Sequence, residues 1–237
     1  MVQEYYLFVD TETTGLPRRW DRPYAEEKEW PCVAQLAWVL YTADGQLVKA
    51  DQDYLQIPAG RMPAAAIAIH GLTPEFLRAQ GRAPEPVLRR LLHDLETYRP
   101  QVIGHFLQLD FHVLGAAFGR AGLPNPLPAL PQFCTMTATY PPLPGAPHGR
   151  HLRLHELHEL LFQEPMPRLH DAYLDATATA RCFFELRRRG LLPDELLTRQ
   201  TPLVEPSART PSAVLRWVGL LVAAVGLLFL LLWLAYG

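Results

Sequence analysis

Three short segments carry residues whose types and spacing can do chemistry. Asp10 and Glu12 end the first apolar run, in Asp10-Thr11-Glu12-Thr13-Thr14-Gly15-Leu16. Two residues apart on an extended chain, their carboxylates face one side. A second segment, Val102-Ile103-Gly104-His105-Phe106-Leu107-Gln108-Leu109-Asp110, repeats the order of apolar run, polar residues and helix start. A third places His170 just before a helix and Asp175 about one turn inside it. Taken singly, each reads as a turn or a helix cap. Taken together, four carboxylates and a histidine at element boundaries are the inventory for holding two hard divalent cations, Mg²⁺ or Mn²⁺, and activating a water. Such a pair of ions stabilises the attacking and leaving oxygens of an in-line phosphodiester displacement.

The elements that must position these groups follow from the hydrophobic pattern. Tyr5 to Val9 reads as a buried strand. Val33 to Tyr41 and Gln46 to Ile57 read as two strands joined by a tight turn at Ala43-Asp44-Gly45. The polar stretch Pro17 to Pro31 between them reads as a long loop. Pro63 to Ile69 and Thr73 to Ala79 are short helices, Pro84 to Tyr98 an amphipathic one, and Val102 to Gly104 a strand. Phe111 to Ala121, Leu152 to Phe162 and Ala172 to Arg189 complete the helices, with a short strand at Phe133 to Met136 and a loop from Tyr140 to Gly149. A hairpin followed by strand and helix alternation indicates an α/β domain with a mixed sheet over residues 1–192. Pro, Ser and Thr enrichment marks a linker over 193–212.

The three segments, in this order and spacing, resemble the DEDDh 3′-to-5′ exonucleases of ribonuclease-H-like fold, the DnaQ-like group that includes epsilon-type proofreading subunits. His70-Gly71-Leu72-Thr73 resembles an auxiliary segment of the same family, and the likeness covers about residues 5–188. The resemblance implies a ribonuclease-H-like mixed sheet flanked by helices, and release of nucleoside 5′-monophosphates from a nucleic-acid 3′ end, DNA ahead of RNA. It implies that Asp10 bridges two metal ions, Glu12 and Asp175 complete the first site, Asp110 supports the second, and His170 is the general base. Thr13 and Leu16 would hold the terminal nucleotide, and His70 and His105 would line the site. Phe106 stands where many members carry asparagine, so contacts to the substrate can differ there.

Charge bears on this reading. With 22 Lys+Arg against 24 Asp+Glu, the net charge of −2 excludes a broad electrostatic grip on nucleic acid. It leaves room for a grip on a strand end, where few phosphates are contacted and bound cations supply positive charge. Arg18, Arg19, Arg22, Arg150 and Arg153 are candidates for strand contact, with a solvated surface as the default. Trp20, Tyr24 and Trp30 offer rings for stacking, with packing against the domain the plainer reading. His151, His155 and His158 lack a zinc-type His-Glu-x-x-His spacing and read as an exposed helix face.

The three cysteines show neither a disulfide framework nor zinc spacing, and the N-terminus does not read as a secretory signal. From Trp217 to Gly237 there are 21 uncharged residues. As a helix they reach about 31 Å, enough to cross a bilayer core of about 30 Å. Residues 213–237 are therefore expected to form one C-terminal transmembrane helix. Arg209 and Arg216 on its N-terminal side place the domain at the cytoplasmic face. Gly219, Ala223 and Gly226 share one face on which two such helices can pair into a homodimer. No segment reads as a polymerase-binding element. The competing class is a non-catalytic membrane adaptor that keeps the fold and binds nucleic acid or protein; retention of every carboxylate weighs against it.

Overall fold

The computed structural model describes residues 4–206, apart from 141–142, 144–145, 147–148 and 167–169. Five strands form one mixed sheet: β1 (Tyr5–Thr13), β2 (Val33–Thr42), β3 (Leu47–Tyr54), β4 (Gln101–Gly104) and β5 (Gln132–Cys134), in the order β3-β2-β1-β4-β5. β1 pairs antiparallel with β2 and parallel with β4, so the central strand joins the hairpin half to the crossover half. The helices are α1 (Ala64–His70), α2 (Pro74–Gln80), α3 (Pro84–Tyr98), α4 (Leu107–Arg120), α5 (Thr135–Ala138), α6 (Leu154–Phe162), α7 (Ala172–Arg188) and α8 (Asp194–Leu197). The α/β class with a mixed, helix-flanked sheet is as expected.

Side-chain alternation divides the core into two layers. Leu7 and Val9 of β1, with Leu36, Trp38 and Leu40 of β2, pack beneath α3 and α4. Tyr6 and Phe8 point the other way, into a layer with Phe183, Ala176 and Ala180 of α7 and Leu157 and Leu161 of α6. A strand covered on both faces needs a continuous apolar run, which Tyr6 to Val9 provides. On α3, Val87, Leu88, Leu91, Leu92 and Leu95 recur at helical spacing and are buried. Asp94 is buried on the same helix, where it accepts from the Trp38 indole at 2.8 Å and pairs with Lys49 at 2.8 Å.

Several boundaries differ from the sequence expectation for physical reasons. β1 runs on to Thr13, because Asp10, Thr11 and Glu12 pair with Ala37, Leu36 and Gln35 of β2. α4 starts at Leu107, so Asp110 sits inside its first turn and does not cap it. The segment from Pro193, expected as linker, packs against the sheet edge. Leu197 is buried, Gln101 donates to its carbonyl at 3.0 Å, and Gln200 both accepts from Cys134 N–H at 2.7 Å and donates to its carbonyl at 2.9 Å. Those two bonds complete the free edge of β5, which proline-rich composition does not reveal. The expected membrane segment 213–237, with its Gly219, Ala223 and Gly226 face, lies outside the described residues. Among the described residues no helix is long and apolar enough to cross a membrane.

The 17–31 loop lies against α4. Trp30 is 1% exposed, stacks on His112 at 5.5 Å and packs edge-on to Tyr24 at 5.2 Å. The Tyr24 hydroxyl lies 3.0 Å from His112 Nδ1. A β-carbon on Gly115 would fall 2.4 Å from the Tyr24 ring, so glycine is what lets the loop approach the helix. Tyr24 and Trp30 are packing residues, in line with the plainer expectation.

Candidate active site

The strand alternation that builds the core also builds the site. Asp10 and Glu12 continue the face of Tyr6 and Phe8, which lies under α7, and α7 brings Asp175 in its first turn. Thr11 points to the opposite face, toward α4, where its hydroxyl donates to Asp110 Oδ1 at 2.7 Å. The β1–β2 ladder shifts register between Glu12 and Thr13, a bulge of the kind that re-aims side chains beside active sites.

The N-terminus of α7 is set by two residues that sequence reasoning passed over. Asp171 caps the helix, accepting from the N–H of Tyr173 at 3.1 Å and of Leu174 at 3.3 Å. Gln35, opposite Glu12 on β2, donates to Asp171 Oδ1 at 3.4 Å and accepts from Ala172 N–H at 3.2 Å. A lone amide within the apolar run Val33 to Tyr41 was the signal for it. His170, immediately before the cap, takes φ 59, unusual for a non-glycine residue. Its backbone N–H lies toward the Asp175 carboxylate and favours the charged form of that group.

One donor atom each from Glu12, His170 and Asp175 lies within 4.8 Å of the other two. Asp10 adjoins the same group and feels the charges of Asp110, Asp175, Glu12 and Asp171. Burial first, and mutual repulsion second, hold the Asp10 carboxyl well above the usual carboxylate range. The same order of causes pushes Glu12 up to about 8. Burial likewise raises Asp110 to about 7, against the bond from Thr11, and Asp175 to about 7, against the pull of the nearby His170 N–H. Asp175 Oδ1 is buried with no hydrogen-bond partner. Oxygen donors this close, raised in proton affinity and one of them orphaned, fit a divalent cation that would satisfy and neutralise them.

The histidines separate by what their ring nitrogens touch. His70 accepts from Leu72 N–H at Nδ1, 3.0 Å, leaving Nε2–H to donate to the Thr13 carbonyl at 3.3 Å. His105 lies 2.9 Å from the Leu152 carbonyl at Nε2 and 2.9 Å from the Thr135 hydroxyl at Nδ1, and burial lowers it to about 4. Both rings line the cavity, yet all four nitrogens are engaged by the protein and hold β1, α5 and the entry to α6 in place. His158, expected on an exposed face, is buried. Its nitrogens sit 3.1 Å from the Glu164 carbonyl and 3.1 Å from Arg181. The ring of His170 is exposed, and neither nitrogen has a hydrogen-bond partner among the described residues. Its proton affinity is lowered, by partial burial and then by His155 and Arg153.

These groups open into a cavity of about 590 Å³, within the roughly 300–1,000 Å³ range of small-molecule sites. Leu16, 65% exposed, and Ile69, 58% exposed, project at one side. Phe106, Leu109 and Met136 also line it. Phe106 takes φ 75, again unusual for a non-glycine residue. Thr13 Oγ1 donates to the Gly15 carbonyl at 2.7 Å and so shapes the turn that presents Leu16. Arg153 is the one guanidinium among the described lining residues and has no carboxylate partner there. Arg19, Arg22 and Arg150 are paired with Asp21, Glu26 and Glu156.

The fold recurs in solved structures. E. coli Exonuclease I in complex with a dT13 oligonucleotide superposes with a TM-score of 0.64 at 20% identity, covering 79% of this chain and 42% of the other. The zinc-bound form of an E. coli Exonuclease I complex with single-stranded DNA gives 0.65 at 19% identity, over 83% and 42%. A 3′-exonuclease described with the 3′ end of a histone mRNA stem-loop gives 0.63 at 14% identity, over 81% and 84%. The chain thus spans about two fifths of the Exonuclease I length. No curated protein sequence is a match to this chain. The sequence profile of the RNase_T exonuclease family matches residues 7–183, about three quarters of the chain and all of the carboxylates above. The chain belongs to the RNase_T exonuclease family.

Proposed function

We propose that this protein is a divalent-metal-dependent 3′-to-5′ exonuclease. It releases nucleoside 5′-monophosphates from a nucleic-acid end, DNA ahead of RNA, while residues 213–237 hold it at the cytoplasmic face of a membrane. The observation that carries the reading is the convergence of Asp10, Glu12 and Asp175 on one cavity, with Asp110 buried close enough to act on Asp10 by its charge, all four raised in proton affinity, beside a histidine whose ring nitrogens have no partner among the described residues. Asp10, Glu12 and Asp175 are assigned to one Mg²⁺ or Mn²⁺ ion, and Asp10 with Asp110 to a second. Bound there, the ions supply Lewis acidity and neutralise charge on the phosphodiester.

His170 takes the proton from the attacking water. An imidazole kept neutral near pH 7 can accept one, and an exposed ring can pass it on to solvent. Arg153 faces a phosphate oxygen, and Leu16 and Thr13 hold the terminal nucleotide. His70 and His105 contribute through the backbone they fix and through their ring faces. No observation favours the adaptor reading, which has no use for a cluster of mutually repelling carboxylates.

Full-length protein in detergent, given 5′-labelled oligonucleotides, is expected to produce a ladder shortening one nucleotide at a time. A 3′-labelled substrate should release its label as a mononucleotide. Both should need Mg²⁺ or Mn²⁺, and activity indifferent to a chelator would sink the mechanism. Parallel DNA and RNA substrates decide between the two nucleic acids. For the anchor, deletion of 213–237 is expected to move the protein from the membrane pellet to the soluble fraction; a truncated chain that still pellets with membranes contradicts it.

A further inference from the structure

Beside the catalytic cavity lies a second one, of about 500 Å³, between the 17–31 loop and the segment that precedes α1. Leu16 and Pro63 line both, so the two cavities adjoin. The cations of the second are Arg18, Lys28 and Arg61, and the carboxylate among its lining residues is Glu29.

The state of those cations is informative. Arg18 and Lys28 are exposed and have no carboxylate partner among the described residues, whereas Arg19 and Arg22 of the same loop are each neutralised by a nearby acid. Arg61 donates to the carbonyls of Glu27 at 3.2 Å and Trp30 at 2.9 Å, which fixes the loop, and has no carboxylate partner among the described residues. Arg120 donates to the same Trp30 carbonyl at 2.7 Å and to that of Pro31 at 2.9 Å. Two guanidinium groups meeting on one carbonyl add to the positive potential at this end of the loop. The Arg18 N–H donates to the Glu29 carbonyl at 2.9 Å, so the two limbs of the loop that carry Arg18 and Lys28 are tied side by side.

We infer that this depression is the track of the substrate strand upstream of its 3′ end, with Arg18, Lys28 and Arg61 facing successive phosphates as the chain leaves the catalytic cavity over Leu16 and Pro63. The inference rests on the proposed exonuclease activity and goes beyond it by naming the strand's path. A chain of net charge −2 grips nucleic acid only where unpaired cations are gathered, and here they adjoin the catalytic cavity.

The test is the double variant Arg18→Ala/Lys28→Ala of the full chain in detergent, assayed on a substrate that fills the catalytic cavity alone, the p-nitrophenyl ester of thymidine 5′-monophosphate, and on a twelve-residue oligothymidylate. The expected result is a KM for the oligonucleotide raised about tenfold with kcat unchanged, and no change on the ester. The log–log salt dependence of kcat/KM should flatten by about 1.4, two phosphate contacts at about 0.7 each for a single strand. Arg18→Lys/Lys28→Arg should behave as the parent chain. Equal effects on both substrates, or an unchanged oligonucleotide KM and salt slope, overturn the track. If the parent chain cleaves neither substrate, the exonuclease reading fails on its own. Fluorescence anisotropy of labelled oligothymidylate then still decides the track by whether the double variant weakens binding. Competition by an acidic peptide as strong as by the oligonucleotide would assign the groove to a protein ligand instead.

Discussion

Replacing Asp10 by asparagine is expected to lower turnover by at least about 10³-fold and, in the metal-free protein, to raise thermal stability. Both effects come from one fact: the folded chain buries Asp10 among Asp110, Asp175, Glu12 and Asp171, and none of the groups that act on its carboxyl among the described residues is a cation. A carboxyl whose folded-state pKa is raised binds its proton more tightly in the native chain. Its contribution to stability is present below the unfolded value, about 4, and is lost as pH rises through the folded value. For this cluster the loss spans the window from about pH 4 up to about 8, the value for Glu12. Asparagine keeps the shape and removes one charge, so the gain should grow from pH 5 to pH 8. At pH 8 a gain of about 1 kcal/mol, or about 2–4 °C in Tm, is a conservative figure for a domain this size.

Added Mn²⁺ should stabilise the parent chain more than the variant, because the ligand it would share is gone. The buried histidines act in the opposite sense. His105 and His112, both lowered to about 4 chiefly by burial, lose their contribution as pH falls from about 6.5 toward 4. Metal-free protein should therefore be most stable in mildly acidic solution, and metal should move that maximum upward. Differential scanning fluorimetry across pH, with and without Mn²⁺, reads all of this. An Asp10→Asn variant less stable than the parent at pH 8 without metal would show that the carboxylate is held by an unrecognised favourable partner.

Phe183→Ala is expected to cost about 3–5 kcal/mol of stability, the range for deleting a fully buried ring. Phe183 has no exposed surface and lies 5.1 Å from Tyr6, 5.4 Å from Phe8, 5.9 Å from Phe133 and 5.4 Å from Phe184, at edge-on angles. These contacts fasten α7 to β1 and β5 on the face that carries Asp10 and Glu12, and α7 holds Asp175 two turns away. A cavity here loosens the register between the two carboxylate-bearing elements, so catalytic activity should fall before the domain unfolds on heating. Urea denaturation followed by tryptophan fluorescence measures the first effect, and activity against temperature the second. Phe183→Leu, which leaves a smaller void, should lose less of both. A midpoint within experimental error of the parent would mean that the layer repacks freely.

Much of the architecture was legible because its periods are local. Tyr6 to Val9, the hairpin turn at Asp44-Gly45 and the buried positions of α3 are statements about neighbouring residues, and neighbours are what a sequence displays. The end of β1 was less legible. Asp10-Thr11-Glu12 has poor strand propensity and becomes strand only because β2 supplies a ladder for it. The packed segment after Pro193 was misread as linker for the same reason: its order comes from Gln101, Gln132 and Cys134, far away in the chain. Gln35 and Asp171 escaped notice because a single amide in a strand and a single cap residue carry no spacing pattern.

For the site, the donor chemistry was set by the sequence alone: four carboxylates and several histidines, placed at element ends in an order that resembles one family. The family resemblance singled out His170 as the base, but residue chemistry alone could not rank the histidines, since His70, His105, His158 and His170 are chemically identical on paper. The fold ranks them. Backbone carbonyls, amide groups and side chains brought from 2 to 57 residues away engage the ring nitrogens of His70, His105 and His158, and those of His170 are left without a partner among the described residues. It likewise neutralises Arg19 and Arg22 while leaving Arg18 and Lys28, beside the catalytic cavity, without a carboxylate partner among the described residues. Which groups can react is a question of which hydrogen bonds and ion pairs remain unmade, and those are decided by packing.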